Sequence, residues 1–91
     1  MMSTLDKWIE QRLDDSEFAE TYAFEKAKVE LVNAIIMARK RKHIRQIDLM
    51  NKTGIKQSEI SKIENAQVYP NLLTLLRIFD ALDLKMEVLS K

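Results

Sequence analysis

Apolar residues return along this chain at helical spacing, and they mark out five segments. Over about residues 4–13, Leu5, Trp8, Ile9 and Leu13 fall on one side of a short amphipathic helix. The run DDSE interrupts it, with Ser16 placed as a cap and Asp14, Asp15 and Glu17 suited to the positive end of a following helix. A long helix is predicted from about Glu17 to Lys42. Its apolar positions include Phe18, Tyr22, Ala27, Leu31, Ala34, Ile35 and Ala38, and its last turn is the cationic ARKRK. A short helix follows from about Arg45 to Lys52 and stops at Gly54, which can take the left-handed conformation of a tight turn. The stretch KQSEISKIENA, residues 56–66, reads as another short helix with Ile60 and Ile63 inward. After AQVYP a helix from about Asn71, its cap, to Leu82 is apolar on more than one side, so one neighbour leaves part of it uncovered. In the tail LKMEVLS, Met86 and Val88 alternate with Lys85 and Glu87 as in a short strand, although no second strand is evident.

With one Gly and one Pro in 91 residues there is little turn chemistry for sheets. The predicted fold is therefore all-α, about five helices, ending in a short C-terminal β-strand. A hydrophobic share of 46% and a charged share of 32% are those of one folded domain. No Cys is present, which excludes disulfides and thiolate metal sites, and His43 is the only His. It reads as a surface residue at a helix end; no metal and no cofactor are expected. There is no Gly-rich phosphate loop, no nucleophile with a paired base and no carboxylate cluster in an apolar frame, so no enzyme is expected either. No apolar run is long enough for a signal or a membrane span, and a cytoplasmic protein with no membrane partner is the expectation.

The net charge of +1 hides an uneven distribution. Residues 1–30 hold eight acids against four bases, net −4, whereas residues 31–67 hold eight bases against three acids, net +5. The helix over 56–66 lies in the basic part. Its Gln57, Ser58, Ser61, Lys62 and Asn65 share an arc of roughly 140°, while Glu59 and Glu64 fall outside it. A solvated helix face usually mixes charges of both signs; this one offers amides, hydroxyls and an ammonium, and two short helices joined through Gly54 outline a helix-turn-helix.

The segment QIDLMNKTGIKQSEISKIENAQVYPNLLTLLRIFDAL resembles the Cro and phage-repressor class of helix-turn-helix domains, the XRE family. The resemblance rests on Gln46, Leu49, Gly54, Gln57, Ile60, Ser61, Ile63, Glu64, Pro70 and the LLTL run, and covers about residues 31–82. It implies base-reading positions at Lys56, Gln57, Ser58 and Lys62. Gln can bond adenine bidentately, Lys can donate to guanine, and Ser tolerates either. Phosphate contacts are implied for Arg45, Gln46, Ser61, Asn65 and Tyr69, and a structural ion pair for Arg39 and Glu64. The chain departs from the family pattern at His43 and Ala66, where Gly is common, at Arg45, where Ser or Thr often caps, and at Met50, where a small residue is usual.

The N-terminal extension and the tail are similar to those of HigA-like antitoxins of type II toxin-antitoxin pairs. That resemblance implies residues 1–30 as a toxin-binding extension, 31–82 as the DNA-binding domain and 83–91 as a dimerisation tail. The partners it implies are a palindromic operator, a HigB/RelE-like messenger-RNA-cleaving toxin held by Leu5, Trp8, Ile9 and Leu13, and a second copy held by Leu75, Ile78, Phe79, Met86 and Val88. Two other readings stay open: a stand-alone XRE-type regulator, and a helical protein-interaction module without operator binding. Trp8 packing on its own domain is the alternative to a toxin contact.

Overall fold

The computed structural model describes residues 3–12 and 16–90, with nothing to state of the side chains of residues 11 and 12. Among them run α1 (Thr4–Arg12), α2 (Ser16–Arg41), α3 (Gln46–Thr53), α4 (Gln57–Glu64) and α5 (Leu72–Ala81). Local chemistry explains where they begin. The Ser3 hydroxyl accepts from the Asp6 N–H at 3.1 Å while the Asp6 carboxylate accepts from the Ser3 N–H at 3.2 Å, a reciprocal cap on α1. Arg45 precedes α3 and its side chain cannot accept a hydrogen bond. Asp48 supplies the acceptor instead, taking the Arg45 N–H at 2.9 Å. Asn71 Oδ1 accepts from the Thr74 N–H at 2.8 Å and starts α5.

Helix ends are equally specific. Gly54 sits at φ +76° and donates its N–H to the Met50 carbonyl at 2.8 Å, closing α3 in a left-handed cap. α2, α4 and α5 end with non-glycine residues in the same region: His43, Ala66 and Asp83, at φ +57°, +57° and +56°. Each is followed by a residue whose N–H reaches back five residues, Ile44 to Arg39, Gln67 to Lys62 and Leu84 to Phe79. These are Schellman closures, with the left-handed residue where glycine is favoured.

Ile35, Ala38, Leu49, Ile55, Ile60, Ile63, Ile78, Phe79 and Leu82 form one buried cluster, to which α2, α3, α4 and α5 all contribute. Each such large apolar side chain contributes about 1.5–3 kcal/mol by leaving water. α3 packs on α4 and α5, and α2 packs on α4. α2, at 26 residues, is about 39 Å long and accounts for most of the 45 Å long axis of the molecule.

Several expectations are corrected. Residues 84–90 form no strand, because period-two alternation makes a ladder only against a second strand and the described chain has none. Ile78 and Phe79, expected at a dimer contact, are 0% and 7% exposed in the chain's own core; the exposed apolar side of α5 is Leu72, Leu73 and Leu76. Leu75 is half-buried against that core, while Met86 and Val88 are exposed. Ser16 is the first residue of α2 rather than its cap. The boundary after residue 30 falls inside the continuous α2, so extension and domain share one helix. Leu13, Asp14 and Asp15 lie outside the described residues.

Candidate nucleic-acid interface

α4 is fixed from within by Ile60 and Ile63, each 1% exposed, so its other side must face out. Lys56, Gln57, Ser58, Lys62 and Asn65 are exposed there, and Ser61 is half-buried. Lys56 precedes α4 and no side chain caps the helix, which leaves the first-turn N–H groups pointing outward. Among the described residues Lys56, Gln57, Ser58 and Lys62 make no side-chain hydrogen bond. Their donors and acceptors are unspent.

The acid at the end of α4, Glu64, is spent. The Arg39 guanidinium grips Glu64 through two parallel bonds, Nε to Oε2 at 2.8 Å and Nη2 to Oε1 at 2.7 Å, and its Nη1 donates to the Ile44 carbonyl at 3.0 Å. Both side chains are largely buried, at 14% and 6% exposure. A bidentate fork of this kind sets angle as well as distance, so it ties the end of α4 to the last turns of α2. Gln46 joins it, donating Nε2 to Glu64 Oε1 at 3.3 Å.

The positions expected at phosphates are arranged differently. Arg45 is exposed but pairs with Asp48, Nε to Oδ2 at 3.1 Å. That pairing holds the Asp48 carboxyl below its ordinary range and raises Arg45. Asn65 Nδ2 lies 3.5 Å from the Ser61 hydroxyl it donates to. Tyr69 spends its hydroxyl on α2. Its hydroxyl donates to the Glu25 carboxylate on α2, and the Lys28 ammonium lies 4.3 Å above its ring. Lys28 also pairs with Glu25 at 2.8 Å. The Lys28 ammonium first, then the Tyr69 hydroxyl, holds Glu25 below the usual carboxylate range, and the same carboxylate raises the phenol.

This Glu25–Lys28–Tyr69 cluster was invisible in the sequence, since its ends are 44 residues apart and no local pattern links them. It separates two clefts. Tyr69 and Pro70 wall one with Ser58, Glu59 and Lys62 beside the reading face, and wall another with Phe24, Ala27, Leu31 and Leu75 along α2.

Trp8 meets Phe18 edge-to-face with ring centroids 5.5 Å apart, which joins α1 to the start of α2. Leu5 is exposed and Ile9 half-buried. No helix among the described residues is long and apolar enough to cross a membrane.

Compared with known families, residues 35–89 match the helix-turn-helix family, more than half of the chain. The chain belongs to the XRE-type helix-turn-helix family. The match runs from the buried half of α2 through α3, the Gly54 turn, α4 and α5 into the tail, the same elements that build the reading face. As a helix-turn-helix protein the chain has the fold of DNA-binding transcriptional regulators, a family that is generally not enzymatic. No curated protein and no solved structure matches it.

Proposed function

We propose that this helix-turn-helix protein is a sequence-specific repressor that also serves as the antitoxin of a type II pair, neutralising a HigB/RelE-like messenger-RNA-cleaving toxin and repressing its own operon. The observation that carries the DNA half is the outward side of α4. Lys56, Gln57, Ser58 and Lys62 are unspent there, on a helix whose Glu64 is locked to Arg39. Entering a major groove, Gln57 reads adenine and the lysines read guanine acceptors. Arg45, Gln46, Ser61 and Asn65 then contact phosphates, and Tyr69 joins them once it leaves Glu25. A dimer formed through the exposed leucines of α5 and the tail presents two reading helices about one DNA turn apart to a palindromic operator.

The antitoxin half rests on the acidic extension with Leu5, Trp8 and Ile9 on one helix. An acidic surface with an aromatic anchor suits a small basic enzyme. One observation favours the stand-alone regulator instead: the Trp8–Phe18 contact already gives the anchor a partner within the chain.

The test uses the full chain and its own upstream DNA. Gln57→Ala and Lys62→Ala are each expected to lose about 1–3 kcal/mol of operator binding and much less on random duplex. Wild-type affinity should fall steeply with salt as counterions are released. Equal losses on both duplexes sink direct readout by these residues, and a flat salt response supports a protein-interaction module.

A further inference from the structure

Along α2 an apolar groove lies open. Phe24, Ala27 and Leu31 form one wall, Pro70 and Leu75 the other, and the groove holds roughly 430 Å³. Phe24 remains 56% exposed. The same chain carries a second uncovered apolar feature at its other end. Val88 is 96% exposed, and Met86 and Leu89 are exposed beside it, on a tail whose root, Leu84, is packed on the core. A groove lacking a filler and a tail lacking a cover are the two halves of a self-complementary interface, the kind a two-fold axis satisfies twice.

We infer that in the dimer the tail of each copy, residues 85–90, lies in the α2–α5 groove of the other, with Val88 and Leu89 against Phe24, Ala27 and Leu31. The inference rests on the dimer reading above and adds where the tail goes. Exposure separates a second copy from the chain's own tail. Leu84 packs beside Ala38, Arg41 and Lys42 at the far end of α2. In the folded chain its own tail stands clear of the groove, with Val88 96% and Leu89 80% exposed, so the groove and the tail are both left for a second copy. The groove is open on one side, so a tail lying in it keeps water on its free backbone groups and needs no ladder. This accounts for apolar alternation in a segment that forms no strand.

Size is consistent with a stable pair. Each copy brings its tail residues 84–90 and the seven residues that line its groove, and α5 adds exposed Leu72, Leu73 and Leu76. Together they approach the roughly 20 residues a side of a standard interface.

The absence of cysteine makes the test clean. Ala27→Cys and Val88→Cys, purified separately, mixed and mildly oxidised, are expected to give the mixed disulfide dimer as the main product. The doubly substituted chain should give cross-linked dimer rather than a closed monomer. Deleting residues 85–91, and separately Val88→Asp with Leu89→Asp, should weaken self-association at least tenfold by sedimentation with unchanged helicity. A sedimenting dimer whose only cross-link is between two Val88→Cys tails overturns the groove placement while keeping the dimer. A closed monomeric disulfide, or a monomer throughout, overturns it as well, and the monomer takes the dimer reading with it.

Discussion

The two halves of α2 share one apolar period and differ in what covers it. Phe24, Ala27, Leu31, Ile35 and Ala38 follow one another at three- and four-residue spacing and so lie in one row. At the C-terminal end of that row Ile35 and Ala38 are sealed in the core under α4, while at the N-terminal end Phe24 and Ala27 are open to water. Helical periodicity thus identifies the inner face and says nothing of whether anything waits there. In one half the neighbour is the chain itself; in the other the row ends as an open surface.

The sharpest way to break this comparison is to truncate the row at both ends. Ile35→Ala removes a fully buried side chain and is expected to cost about 2–5 kcal/mol in urea unfolding. Phe24→Ala, made at a concentration low enough to keep the chain monomeric, should change stability by no more than about 0.5 kcal/mol. Similar losses at both positions mean that the N-terminal half is packed in solution, and the contrast between the halves disappears.

Next in size is the clasp that ties α4 to the covered half. Glu64→Ala leaves the largely buried Arg39 guanidinium with the Ile44 carbonyl alone, and breaking such a pair costs about 3 kcal/mol. Glu64→Gln keeps one acceptor and should lose less. Because the fork also aims α4, both variants should weaken operator binding beyond what their stability explains, measured at a temperature where each is fully folded.

The extension gives a smaller effect. Trp8→Ala removes the edge-to-face contact with Phe18, worth about 0.5–1.5 kcal/mol beyond area, and calorimetry should register a loss of about that size. If Trp8 anchors a toxin instead, stability stays level and neutralisation of the toxin fails. The variant therefore decides whether Trp8 serves its own fold or a partner.

How much of this was readable follows from the distance over which each feature is encoded. Helices were legible because their apolar spacing and caps are local: the Asn71 cap and the Gly54 stop are set within four residues. The side of α5 that turns inward was not. Its leucines surround the helix, and only the packed fold reveals that Ile78 and Phe79 go to the core while Leu72, Leu73 and Leu76 stay out. The strand failed for a related reason, since alternation in Met86 and Val88 reports a wish for cover without naming the cover. On the DNA face, the outward residues of α4 followed from Ile60 and Ile63 pointing in. The engagement of Tyr69 with Glu25 had no signal, because nothing in either neighbourhood refers to the other.

The smallest effect concerns the three left-handed closures. A residue other than glycine loses roughly 1–2 kcal/mol in that conformation, while glycine returns about 0.4–1 kcal/mol by enlarging the unfolded ensemble. His43→Gly, which ends the covered half of α2, and Ala66→Gly, which ends α4, are therefore each expected to stabilise by about 0.5–1 kcal/mol. In a domain of this size 1 kcal/mol raises Tm by roughly 4–8 °C. Asp83 is the control built into the molecule. It has the same backbone φ, but its carboxylate pairs with Lys42 at 2.8 Å on the surface and sits below its ordinary pKa for that reason. An exposed pair of this kind contributes modestly, so Asp83→Gly relieves strain and forfeits the pair, and should leave Tm nearly unmoved at neutral pH. The pair is present above the ordinary carboxylate pKa and is lost as pH falls through the lower folded value. Below that value Asp83→Gly should stabilise as the other two do. A gain at neutral pH as large as at Ala66 removes any role for the Lys42 contact. A loss at all three positions means that these closures are held by something other than the left-handed backbone, and with them the explanation of where the covered half of α2 stops.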